Sequence, residues 1–152
     1  MSLPVKALLV ATILFSFVMS QDDLQGVCLP AQDDSRVVIA GGSITEIFYL
    51  LGIEDRIIAL DITSTYPEEA KNFPSVGYVR MLSAEGLLSM NPSIILGEND
   101  MGPPNVIEQI RETGVELKII PEEKSIQGII QKIRCVASVM GVSSLAEDLI
   151  NH

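Results

Sequence analysis

Tryptophan is absent from these 152 residues, histidine occurs once, as His152, and cysteine twice. Aromatic residues make up only 5%, and 10 basic residues face 20 acidic ones, a formal charge of −10. Each shortage removes a class of function. A single histidine leaves zinc sites and histidine-based triads without donors. The excess of acid makes nucleic acid and anionic lipid surfaces poor partners. No run is apolar for long enough to span a bilayer: Lys6 is followed by Ala7 to Met19, and then by Ser20-Gln21-Asp22-Asp23. A basic residue, a short apolar stretch and a polar exit describe a secretory signal peptide, here residues 1–20, with cleavage expected before Gln21. Removing it takes away one lysine and leaves the remainder still more acidic. An exported chain meets an oxidising compartment, so Cys28 and Cys135 can pair. Cys135 also fits a small buried hydrophobe on a helix.

The whole sequence is 47% hydrophobic and free of low-complexity segments, one domain's worth of core. Residues 21–35 are polar, with Gly26 and Pro30, and read as a flexible leader. From Arg36 onward apolar runs of strand length alternate with helical patterns. The strands are Arg36 to Ala40, Ile57 to Leu60, Ser93 to Gly97 and Val115 to Ile120. The helices start at Ser43 or Thr45, Pro67, Ser83, Asn105 and Ser125. The longest spans Ser125 to Met140, with Ile126, Ile129, Ile130, Ile133, Val136, Ala137 and Met140 at helical spacing. Ser144 with Glu147 three residues later reads as a capping box opening a last helix. Such alternation predicts an α/β fold, a Rossmann-like parallel sheet flanked by helices.

In open α/β sheets ligands bind at the carboxyl ends of the strands, which points to the loops after each run. Gly41-Gly42-Ser43 lies between strand and helix but matches no phosphate-binding spacing and reads as a tight turn. Glu98-Asn99-Asp100 offers oxygens for a metal ion, although an ordinary solvated loop accounts for it. Tyr66, Tyr78 and Arg80 all fall on loops at one sheet end. Pro67 stiffens the Tyr66 loop. A phenolate is a hard anionic donor that suits ferric iron and serves among haem axial ligands. A guanidinium pairs with a carboxylate such as a propionate.

Gly41-Gly-Ser-Ile-Thr-Glu46, Asp61 with Ser64-Thr-Tyr-Pro67, Val76-Gly-Tyr-Val-Arg80, Leu82-Ser-Ala-Glu-Gly86 and Gly102-Pro-Pro104 together resemble the haem-binding periplasmic proteins of bacterial ABC importers, within the cobalamin- and siderophore-binding class. The likeness runs from about Arg36 to Met140. It implies two α/β lobes joined by a long helix with the ligand held between them. This chain would then supply the N-terminal lobe, residues 36–142, and the start of a truncated interlobe helix, residues 143–152. It further implies Tyr66 as the axial ligand of haem iron and Glu85 as a contact to the permease, while Tyr78 and Arg80 stand as ligand-binding candidates from their loops and chemistry. The expected protein is a monomer that carries haem through the periplasm and catalyses nothing. A siderophore or cobalamin carrier of the same class is the nearest alternative, and an exported α/β enzyme fragment using Glu98, Asp100 or Glu85 is a more distant one.

Overall fold

Residues 26–151 are described by a computed structural model. The expected signal peptide lies outside the described residues. Four short strands, β1 (Val37–Ala40), β2 (Ile57–Leu60), β3 (Ile94–Gly97) and β4 (Glu116–Ile119), form one parallel sheet in the order β2-β1-β3-β4. Five helices accompany them: α1 (Gly42–Leu51), α2 (Ala84–Leu88), α3 (Pro104–Glu112), α4 (Ile126–Val139) and α5 (Ser143–Ile150). The α/β sheet predicted from the alternation of runs is therefore present, with its strand boundaries shifted by no more than a residue.

The central strands β1 and β3 are buried along their whole length, so successive residues feed opposite faces. Val37, Ile39, Ile94 and Leu96 meet Ile44, Phe48 and Leu51 of α1 and Val136, Val139 and Met140 at the end of α4. Val38, Ala40 and Ile95 meet Leu87 of α2, Val106 and Ile110 of α3, and Val76, Val79 and Leu82. The two cores have a topological cause. From β1 the chain moves to one side, through α1 to β2; from β3 it moves to the other, through α3 to β4. With right-handed crossovers those helices must lie on opposite faces. The reversal falls between β1 and β3, where a doubly wound sheet opens a crevice at its carboxyl end.

Both sheet edges are engaged. Beside β2 the chain returns at 74–77, where Leu60 N–H donates to the Pro74 carbonyl at 2.9 Å and Val76 N–H to the Leu60 carbonyl at 2.9 Å. On β4 the Lys118 side chain is buried and its ammonium donates to the carbonyls of Val27, at 3.1 Å, and Leu29, at 2.9 Å.

Three expectations need correction. Of the flexible leader expected over residues 21–35, the stretch 27–35 is not free. Besides the Lys118 contacts, Ala31 N–H donates to the Val139 carbonyl at 2.8 Å, Arg56 pairs with Asp34 at 2.6 Å, and Cys28 is disulfide-bonded to Cys135. Closing 107 residues of chain stabilises the fold by about 4–5 kcal/mol in the entropy model. Second, the apolar stripe of α4 is not all core. Ile126 and Ile129 are exposed, whereas Gly128, Lys132 and Cys135 face inward, because the first turns of this helix project past the sheet. Third, no side chain caps α5. The helix starts after Val142, and Glu147 turns instead to Arg134, accepting from Nε at 2.7 Å and from Nη2 at 2.9 Å.

Candidate functional site

The loops at the carboxyl ends of β1, β2 and β3 carry every residue singled out from the sequence except Glu85. After β1, Gly41 takes a φ of 153° and starts α1 with no side-chain cap. The free amides at that helix start are met by two carboxylates of the chain itself. Glu98, the first residue beyond β3, accepts at Oε1 from the Ser43 amide at 3.2 Å, from the Ser43 hydroxyl at 2.5 Å and from Lys132 Nζ at 3.0 Å. A side chain at Gly41 is excluded, since a Cβ there would lie 2.4 Å from Cγ of Glu98. The anion site that a helix N-terminus offers is thus already filled from within.

Asp61, the first residue beyond β2, is the second of these carboxylates and is only 2% exposed. Its Oδ1 accepts from the Gly41 amide at 3.0 Å and the Ser64 hydroxyl at 2.9 Å. Its Oδ2 accepts from the Thr63 amide at 2.9 Å and the Thr63 hydroxyl at 2.6 Å. The Thr45 and Ser64 hydroxyls lie 2.8 Å apart. This network folds the 61–65 loop back onto the start of α1 and leaves Tyr66 outside it, 68% exposed. The Tyr66–Pro67 peptide is cis. Tyr66 and Pro67 border a shallow cavity of about 220 Å³ with Glu46, Tyr49 and Leu50.

Tyr78 and Arg80 sit on a tight turn closed by the Met81 amide donating to the Tyr78 carbonyl at 2.7 Å. Val79 and Leu82 are buried, so Arg80 and Met81 face outward. The turn is stitched to its neighbours: Ile62 N–H donates to the Gly77 carbonyl at 2.9 Å, Gly102 N–H to Val79 at 2.9 Å, and Leu82 N–H to Gly102 at 2.9 Å. The two loops therefore form one rim, on which Ile62, Tyr66, Tyr78 and Met81 are exposed. Arg80 donates from Nε to Asp100 at 2.8 Å. That hydrogen bond, with the negative charge available at Tyr78 and at Asp100, raises the guanidinium pKa above its usual value.

Glu98 and Asp100, read together as a solvated loop or a metal site, are split by these contacts. Glu98 points into the crevice toward Lys132 and Asp100 outward to Arg80, and no metal-holding cluster forms among the described residues. Glu85 lies elsewhere, exposed in the first turn of α2, whose Ser83 caps the helix by accepting from the Gly86 amide at 2.9 Å. Asp61, Lys132 and the inward turn of Glu98 were missed as parts of the site. A buried acid directly after an apolar strand was the available signal for Asp61. Nothing local announces that Lys132 reaches Glu98 across 34 residues of sequence. A larger cavity of about 310 Å³ lies away from the phenols, between the disulfide, Lys132 and the 121–123 loop.

A family profile described as "Periplasmic binding protein" matches residues 37–152. Among solved structures, the periplasmic haem-binding protein RhuT from Roseiflexus sp. RS-1 is 41% identical, with a TM-score of 0.73 over 76% of this chain and 44% of that one. A periplasmic haem-binding protein from Pseudomonas aeruginosa is 35% identical, with a TM-score of 0.73 over 77% of this chain and 42% of that one. The periplasmic haem-binding protein HutB of Vibrio cholerae is 34% identical, with a TM-score of 0.72 over 78% and 46%. The vitamin B12-binding protein of Yersinia pestis (strain Pestoides F) is 32% identical over 89 residues, 59% of this chain and 32% of the relative. The chain thus spans about a third of the curated relatives' length and under half of the solved chains.

Proposed function

The chain belongs to the periplasmic binding protein family, and on that premise we propose that its rim holds haem for delivery to an ABC importer. The observation that carries this reading is the set of exposed side chains Ile62, Tyr66, Tyr78 and Met81, with Arg80, on the loops beyond the carboxyl end of β2. Haem is flat and apolar, carries two propionates, and holds a ferric ion that accepts a phenolate. The rim offers apolar area, phenols and a cation together. Identity of 34–41% to haem-binding proteins supports the same ligand. The role in this reading is carriage, in line with the binding-protein family to which the chain belongs. The compartment is the periplasm, in keeping with the export signal read in residues 1–20.

Titration of the chain with ferric haem, cobalamin and a ferric siderophore, followed by absorbance, tests the reading. Haem should saturate at one equivalent and the others should not. Preferential binding of cobalamin would establish the second reading, which the vitamin B12-binding relatives favour.

Two phenols compete for the iron. Tyr66 is the expected ligand, on the loop that the buried Asp61 holds. Tyr78 is the second candidate, exposed on the turn that also carries Arg80. Tyr66→Phe and Tyr78→Phe separate the two. The variant that loses the phenolate-to-iron absorption identifies the ligand, and the other should weaken binding without changing the spectrum.

Glu85 serves the permease in this proposal. An exposed carboxylate meeting a basic pocket chiefly governs encounter and specificity. Glu85→Arg in the transporting protein should impair uptake while haem affinity stays unchanged; loss of both would place Glu85 in the ligand site.

A further inference from the structure

We propose that Asp61 is the positioning residue of the ligand rim: its buried carboxylate locks the 61–65 loop to the start of α1 and so sets where the Tyr66 phenol stands. This inference rests on the haem-binding reading for its consequence and on the geometry alone for its substance.

The carboxylate is 2% exposed and carries four hydrogen bonds from three residues. Two of the donors, the amide and hydroxyl of Thr63, belong to the loop; a third, the Ser64 hydroxyl, also belongs to it; the fourth is the amide of Gly41. One side chain therefore joins the end of β1 to the loop beyond β2. Its own backbone is fixed independently, because Asp61 N–H donates to the Ile39 carbonyl at 3.0 Å. The loop also fits closely. A Cβ on Gly42 would come within 3.1 Å of the Thr63 carbonyl oxygen, so α1 and the loop are in direct backbone contact.

Asp61 needs both oxygens as acceptors, and no other common side chain of this size supplies that. Asparagine keeps the shape and one acceptor but turns an NH₂ toward donors already present, at Gly41 and Ser64 or at Thr63. The unmatched pair of donors then pushes the loop off the helix start, and Tyr66, directly beyond it, loses its fixed place. Partners that orient a metal ligand without touching the metal typically contribute 10- to 100-fold to affinity. A loss of about 10-fold in haem affinity is expected for Asp61→Asn.

The test has two arms. In the first, the three tyrosines of the chain carry a fluorine label and are assigned by Tyr→Phe substitution. Asp61→Asn should shift and narrow the Tyr66 fluorine signal and leave that of Tyr49 in place. This arm uses no haem, so it decides the positioning role even if the haem reading fails. In the second arm, ferric haem is titrated into Asp61→Asn and into Ile95→Val, a core variant of comparable stability loss. Weakened binding in Asp61→Asn alone, with a changed phenolate-to-iron band, confirms that the position set by Asp61 matters to the ligand. An unmoved Tyr66 signal overturns the proposal. A Tyr66 shift accompanied by haem affinity equal to that of the unsubstituted chain overturns the consequence for the ligand and leaves the positioning of Tyr66 in place. If neither protein binds haem while the Tyr66 signal moves, the haem reading has failed and the positioning role stands.

Discussion

Two regions at the same end of the sheet have opposite characters. Between β1 and β3, where a doubly wound fold opens its crevice, Glu98 fills the helix start and is held by Ser43 and the nearly buried Lys132. Beside it, the loops carrying Tyr66 and Tyr78 expose aromatic and apolar side chains whose backbones are tightly bonded while their faces are bare. In the first region Glu98 and Asp61 meet the Ser43 and Gly41 amides from within the chain, and Lys132 is paired with Glu98. The second has an ordered scaffold and unanswered side chains, which is how a surface looks when its complement is another molecule.

The strongest way to break the contrast is to empty the closed region. Glu98→Ala removes the partner of a lysine that is 6% exposed, and stability should fall by about 3 kcal/mol, the usual cost of leaving one member of a buried pair alone. The vacated helix start, with Lys132 beside it, becomes an anion site. Sulfate should raise the Tm of the variant and leave that of the parent chain alone; an equal response in both would show that Glu98 does not block the site. A smaller effect is expected at the rim. Met81 is 77% exposed, so Met81→Ala should change unfolding stability by less than about 0.5 kcal/mol while weakening haem binding several-fold. A large stability loss would mean that the rim is structural. The smallest effect sets the baseline for an exposed pair. Arg134 donates to Glu147 and thereby lowers the Glu147 pKa below its usual value. Its contribution to stability is present above the unfolded carboxyl pKa and lost as pH falls through the depressed folded value. Arg134→Gln should flatten the acid limb of the stability curve slightly, and salt should produce the same flattening in the parent chain.

What could be read beforehand was whatever depends on neighbours in sequence. Val37 to Ala40 and Ile94 to Gly97 are continuous apolar runs because both faces of a central parallel strand are covered, and their ends mark the loops where Gly41 and Glu98 stand. The loops of the phenols and Arg80 were placed by the same logic of strand ends. Long-range choices stayed hidden. Glu98 and Asp100 are two residues apart and look alike in sequence, yet one turns to a lysine on α4 and the other to Arg80. Ile126 and Ile129 keep helical spacing with the core residues behind them, but spacing does not say where the sheet stops. The docking of residues 27–35 depends on Lys118 and Cys135, about a hundred residues away, and polar composition alone suggested a free segment.

The engaged edges of the sheet bear on how this chain behaves in crowded company. A parallel sheet ends in two rows of backbone groups that invite strands from other molecules, and aggregation commonly starts there. Along β2, the returning 74–77 segment already takes the place an intruder would occupy. Along β4, Glu116 and the tethered Lys118 put charge into the strand itself, so a neighbour seeking to extend the sheet meets an ion pair at 3.3 Å rather than an apolar ribbon. Self-association by strand addition is therefore discouraged on both sides.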